Sequence, residues 1–298
     1  MDTTQTLPFR FGVVAMQPPP GQAWPAFVQE VEGLGYDSLV MPDNVAQGLA
    51  VFPALAAAAT ATTRLRLGTY VLANDLRHPV EAAKEAFAVA LLSDGRFELG
   101  LGAGRPASDR DNAMLGLPFD SPGTRVSRLA ESIGLIKRLL AGETVTEAGE
   151  HYTVTEASVV PYGVEPPRVP LLVAAGAPRM LRLAGAEADT VALALQPDAD
   201  EAAFAARVAQ VRAPADGRPV EINVNLMAVG DVVPRHLAGQ LDPAALSAAG
   251  AVPVVTGSPE EMAEQLRVRR ERLGISYVLV GQELMYAFAP VLPQLAGE

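Results

Sequence analysis

The segment HPVEAAKEAFAVALLSDGRFELGLGAG, residues 78–104, narrows the fold more than any other part of the chain. Pro79 suits a first helical position, where its missing N–H would have no partner, and Ala82, Ala83, Ala86, Phe87, Ala90 and Leu91 follow at helical spacing. Gly95 ends that helix. Phe97, Leu99 and Leu101 then alternate with Glu98, Gly100 and Gly102, as in a strand. Gly102-Ala103-Gly104 leaves the strand's exit with little side chain, which predicts a loop where something flat or anionic approaches the backbone. A helix feeding a strand with a glycine-rich exit is the repeating unit of a parallel α/β fold.

The same unit recurs along the sequence. Apolar spacing predicts strands over 10–15, 38–41, 65–72, 97–101, 171–174, 190–195, 221–229 and 277–280. Between them it predicts helices over 23–34, 51–60, 79–91, 124–140, 179–186, 201–211 and 259–273, with a terminal helix near 284–295. Residues 143–160 alternate like a small β excursion, and Pro161, Pro166, Pro167 and Pro170 keep the next stretch extended. About eight strands separated by helices predict an α/β chain forming a single (β/α)8 TIM-type barrel over residues 1–298, with a small β insertion before the fifth strand. A doubly wound open sheet is the runner-up. In either architecture the loops at the carboxyl ends of the strands carry the chemistry.

Composition removes several function classes. The chain has no cysteine and three histidines, His78, His151 and His236, which excludes thiolate chemistry and disfavours a multi-histidine metal site. With 23 basic against 34 acidic residues the net charge is −11, which argues against nucleic acid or an anionic membrane as partner. The longest apolar runs are too short to cross a bilayer, and the first residues carry neither a basic leader nor an apolar signal core. The expected location is the cytoplasm. There is no Gly-x-Ser-x-Gly elbow, no His-Glu-x-x-His helix and no phosphate loop ending in Gly-Lys-Ser/Thr.

Candidate site residues are therefore those of the predicted rim: Asp43 and Asn44 after the second strand, Asn74 after the third, and Ala103, Gly104 and Arg105 after the fourth. In LLVAAGAPRML an apolar strand, a small-residue turn and Pro178 entering a helix make an anion site from Ala175, Gly176, Ala177, Pro178 and Arg179. The plainer reading of Gly176 and Ala177 is a tight turn, and that of Asp43 a helix cap. His78 reads as positioning its loop, Arg96 and Glu98 as a barrel salt-bridge network, and His151 with Tyr152 as packing or a lid.

Together, EGLGYDSLVMPDN, LRLGTYVL, the 78–104 block, GETVTEAGEHY, PPRVPLLVAAGAP and TGSPEEMAEQL resemble, in this order and spacing, the luciferase-like monooxygenase superfamily, above all its branch of oxidoreductases dependent on the deazaflavin coenzyme F420. The resemblance implies a non-prolyl cis peptide at Tyr70-Val71 backing the cofactor ring, and a phosphate on Ala175–Pro178. It implies hydride transfer to a small-molecule substrate, with Asp43, Asn44 and Tyr70 as the catalytic set. FMN is the alternative cofactor; a two-component FMN monooxygenase and a non-catalytic flavin-binding barrel are the alternative functions. A homodimer, and a separate flavin or F420 reductase supplying the cofactor, are the expected partners. Two positions depart from the family pattern: Asn44 stands where many deazaflavin members have histidine, and Arg105 where some carry glutamate. Asparagine hydrogen-bonds but does not shuttle protons near neutral pH.

Overall fold

The computed structural model describes residues 7–105 and 108–298. In chain order they form β1 (Arg10–Val14), α1 (Trp24–Gly33), β2 (Ser38–Met41), α2 (Val51–Ala61), β3 (Arg66–Thr69), β4 (Leu72–Ala73), α3 (Pro79–Leu92) and β5 (Phe97–Gly102). Next come α4 (Asp109–Met114), α5 (Pro122–Leu140), β6 (Val145–Ala148), β7 (Thr153–Ala157), β8 (Leu171–Ala175), α6 (Pro178–Glu187), β9 (Thr190–Leu193) and α7 (Glu201–Ala215). The last are β10 (Glu221–Leu226), β11 (Ala228–Val229), α8 (Pro243–Ala248), β12 (Val254–Val255), α9 (Pro259–Leu273), β13 (Ile275–Gly281), α10 (Met285–Phe288) and α11 (Leu292–Leu295). The main sheet has the order β3-β2-β1-β13-β10-β9-β8-β5-β4, and β3 also pairs with β5. With β3 and β4 as halves of one strand, this is the expected (β/α)8 barrel. The predicted insertion is the antiparallel β6–β7 hairpin, which precedes the fifth barrel strand.

Contacts divide the chain into two compact units. One comprises the chain to Ala15, Gln29–Val40 and Ala175–Glu298. Here β13 pairs in parallel with β1 and β10, and six of its residues, Ile275 to Val280, are buried, as expected of a strand covered on both faces. Tyr277 is fully buried, its hydroxyl 2.7 Å from Ser38 Oγ, and Arg10 stacks 3.9 Å over its ring while pairing with Glu221. Helix α9 begins with a capping box between Ser258 and Glu261 and stops at Gly274, whose φ is 74°.

The other unit comprises Met16–Val28 and Met41–Ala174. Its strands β3, β4 and β8 each pair in parallel with β5. His78 caps α3 through Nδ1, accepting from the Val80 N–H at 3.3 Å, so the loop-positioning reading of that histidine holds. The Arg96 guanidinium donates to the carbonyls of Ala59, Thr62 and Leu65, fastening the carboxyl end of α2.

The structure corrects several expected boundaries. The strand expected over 221–229 breaks at Met227, whose N–H turns to the Pro253 carbonyl at 2.7 Å, and β11 pairs instead with β12 over a small apolar cluster of Ala228, Ala251 and Val254. The terminal helix is two single-turn α-helices with a 3-10 turn, Ala289–Val291, between them, and Pro290 and Pro293 stand in the first turn of the second and third pieces. Short α4 and α8 were not read from the sequence, since six residues give too little periodicity. Among the described residues no helix is long and apolar enough to cross a membrane.

Glycines in this unit make opposite predictions. A methyl group on Gly100 would collide with the Thr69 carbonyl, whereas one on exposed Gly134, inside α5, would meet nothing. Gly100→Ala should therefore cost about 3 kcal/mol or more. Gly134→Ala should add roughly 0.5–1 kcal/mol. Denaturant midpoints of the two variants against the parent check both signs.

Candidate active site

In the unit that holds Met41–Ala174, two predicted rim residues, Asp43 and Asn74, meet at one turn. Asn74, Asp75 and Leu76 form a single 3-10 turn directly after β4, and Arg77 follows it. Each polar side chain of this stretch reaches a different element. Arg77 grips the Asp43 carboxylate with two hydrogen bonds of 3.0 Å, from Nε and Nη2, while its Nη1 lies 3.2 Å from Glu85 and its guanidinium 5.3 Å over Phe52. Asp75 accepts at 2.6 Å from Arg128 of α5, which also holds Asp120 at 2.7 Å. Asn74, only 4% exposed, donates from Nδ2 to Tyr152 Oη at 3.1 Å.

Asp43 is thus an ion-pair partner, and the helix-cap reading gives way to it: its side chain is 7% exposed and both oxygens are committed to one guanidinium. Asn44 beside it makes a 3.5 Å contact from Nδ2 to Met16 Sδ. The peptide bond between Tyr70 and Val71 is cis, as the resemblance implied. The Tyr70 N–H donates to the Met41 carbonyl at 2.7 Å, and burial pushes the phenol's pKa up, so this hydroxyl keeps its proton across the neutral range.

The opening expected at Gly102-Ala103-Gly104 is closed at its first residue, and Gly100 before it is closed as well. Thr69 Oγ1 bonds both the N–H and the carbonyl of Gly100 at 2.8 Å, and the Val71 side chain lies where a Cβ on Gly102 would be. These glycines admit the neighbouring strand, not a ligand. Gly104, with φ of 76°, ends the strand, and a Cβ there would lie 3.1 Å from Arg125 Nη1. Ala103 is buried. Arg105 is exposed; its backbone is tied to Ser108, and its guanidinium has no partner among the described residues.

The second predicted group lies in the unit containing β9 to β13. The Ala175 carbonyl accepts from Ala194 N–H at 2.9 Å, and Gly176 approaches Ala194 so closely that a Cβ would stand 3.2 Å from that residue's Cβ. Ala177 is the N-cap of α6, with the extended backbone (φ −88°, ψ 153°) of a capping residue but no oxygen to cap with, and Pro178 follows at the first helical position. Ala177, Pro178 and Arg179 are exposed. Helices α7 and α9 have Asp200 and Ser258 doing this work. The first turn of α6 therefore offers N–H donors and the positive end of its dipole to any anion that approaches, which fits a phosphate.

Sequence reading missed Arg77, Arg128 and Glu131. Glu131 of α5 accepts the backbone N–H groups of His151 and Tyr152 at 2.9 and 2.8 Å, and Ser127 Oγ lies 3.0 Å from His151 Nε2. His151 and Tyr152 pack as expected, and Tyr152 also sets its ring edge against His78, 5.4 Å between centroids.

A sequence profile described as luciferase-like monooxygenase matches residues 1–236. An F420-dependent glucose-6-phosphate dehydrogenase of Beutenbergia cavernae is 37% identical over 172 residues, 55% of this chain and 50% of that protein. The chain thus spans about half the length of the curated relatives it matches. An F420-dependent secondary alcohol dehydrogenase, solved with an F420–acetone adduct, superposes with a TM-score of 0.78 at 18% identity, covering 97% of this chain and 99% of that one. The oxygenating constituent of 3,6-diketocamphane monooxygenase from Pseudomonas putida, solved with FMN, gives 0.73 at 15% identity, covering 98% and 99%. At these identities the likeness is one of fold.

Burial raises the pKa of Tyr70 and of Tyr36, whose hydroxyl donates to the Met285 carbonyl, above the ordinary 10.0. The folded chain keeps protons there that the unfolded chain loses above about pH 10, so stability is unaffected below that pH and falls as the pH climbs past it. Denaturation at pH 9 to 11 should show this loss, and Tyr70→Phe should reduce it.

Proposed function

The chain belongs to the luciferase-like monooxygenase family, and from that premise we propose that it is an oxidoreductase moving a hydride between the deazaflavin coenzyme F420 and a small organic substrate, reducing an activated C=C or C=N bond. The observation that carries the reading is the bare amino end of α6: a helix start with capping backbone, no capping side chain and a turn of small residues before it. Such a turn takes the phosphate that this coenzyme carries. The exposed, unpaired guanidinium of Arg105 suits the coenzyme's acidic tail in a chain of net charge −11, and this favours the deazaflavin over FMN. Names of the curated relatives support the same cofactor.

When bound, the coenzyme supplies the hydride-exchanging carbon; the protein's contribution is binding and orientation. We assign the phosphate to Ala175, Gly176, Ala177, Pro178 and Arg179, and the ring to Tyr70, Val71, Asn74, Ala103 and Gly104. Asp43 is fixed by Arg77 and so orients rather than moves. Asn44 supplies hydrogen bonds without proton transfer, which leaves water or the protonated Tyr70 phenol as the proton source. A homodimer and a separate reductase that regenerates the cofactor complete the reading. An FMN-dependent two-component monooxygenase would use the same phosphate turn.

Ala177→Asp separates fold from function at this turn. The carboxylate would cap α6 and raise stability by about 1 kcal/mol. It would also occupy and repel from the phosphate position, so affinity for F420 should fall about tenfold or more. Titration of the purified chain with F420 and with FMN, followed by cofactor absorbance, gives the parent affinities; unchanged F420 binding by the stabilised variant sinks the phosphate assignment, and tighter binding of FMN than F420 sinks the choice of cofactor. Asn44→Ala should lower turnover only modestly; loss of many orders of magnitude in the chemical step would mean that this position does more than orient.

A further inference from the structure

The β6–β7 hairpin lies outside the barrel repeat, yet its best-anchored side chain reaches a rim residue. Tyr152 is held from three directions: its N–H by Glu131, its ring edge by His78 and its hydroxyl by Asn74. Asn74 is almost completely buried; Nδ2 gives one of its two N–H groups to Tyr152, and Oδ1 has no hydrogen-bond partner among the described residues. The neighbouring Asp75 likewise has Oδ1 on Arg128 and a buried Oδ2 that is unpartnered. The unpartnered oxygens at this turn, Asn74 Oδ1 and Asp75 Oδ2, are both acceptors. Two such oxygens disfavour phosphate and carboxylate groups and take hydroxyl or imide N–H groups.

We propose that Tyr152 is a positioning residue of the cofactor site: by holding the Asn74 amide it presents Oδ1 to a neutral O–H or N–H donor of the cofactor, a ribityl hydroxyl or a pyrimidine imide, and not to its anionic tail. The hairpin is on this account part of the active site. The inference rests on the flavin-type reading given above, and its test keeps the two apart.

The probes are F420, FMN and the phosphate-free ribityl deazaflavin, each titrated against the parent, Tyr152→Phe, Asn74→Ala and the double variant, with thermal midpoints measured alongside. Tyr152→Phe keeps the ring against His78 and removes only the hydroxyl, so its thermal midpoint should move little while cofactor dissociation constants rise about five- to tenfold, the worth of one hydrogen bond. The factor should be the same for F420 and for the phosphate-free compound, because the contact is not with the phosphate. In the Asn74→Ala background the Tyr152→Phe penalty should vanish. Parent-like affinity in a folded Tyr152→Phe, an undiminished penalty in the double variant, or a penalty confined to phosphate-bearing ligands would each overturn the proposal. Failure of the parent chain to bind any of the three compounds would instead overturn the flavin-type reading itself.

Discussion

The rim of the second unit depends on one close approach, that of the third strand to β5. Gly100 has no side chain, so the Thr69 backbone can lie against it and Thr69 Oγ1 can tie both of its backbone groups. Val71 then fills the space over Gly102. With the strand pinned there, the Asn74–Leu76 turn can emerge only at the carboxyl end of β4, and its side chains with that of Arg77 are the ones long enough to reach β2's exit, α5 and the hairpin. Two missing methyl groups in β5 thus fix where the charged groups of the rim meet.

How charge is distributed matters more than its sum. The chain is acidic overall, but three guanidiniums of this unit are engaged: Arg77 with Asp43 and Glu85, Arg128 with Asp75 and Asp120, and Arg125 stacked 4.0 Å from the Phe119 ring. Arg105 differs in being exposed and uncommitted. A ligand approaching the rim therefore meets fixed dipoles and an exposed cation. Fixed groups set geometry, because they need no reorganisation when charge develops.

Alternation of apolar runs made the barrel and its hairpin insertion legible in the sequence, since each buried strand and each amphipathic helix writes its own period into a short window. The turn before α6 was legible for the same reason: strand, small residues and Pro178 are contiguous. The Asp43–Arg77 pair was not, because the partners are 34 residues apart and neither stands in a local motif. Gly102 misled in the opposite direction; the sequence shows that a side chain is absent but not that Val71 enters the space. Asp43 reads from the sequence as a catalytic residue or a cap, and Tyr152 as packing or a lid; the partners that decide between such readings, Arg77 and Asn74, stand on distant elements.

The way α5 holds the hairpin has a bearing on how such a chain can diverge. Glu131 grips residues 151 and 152 by their main-chain N–H groups, a contact indifferent to which side chains those residues carry. Gly149 is the exception, because a Cβ there would collide with the same carboxylate. Apart from Tyr152, side chains around the turn can therefore vary while the loop stays anchored, and one glycine and one glutamate are enough to keep that freedom.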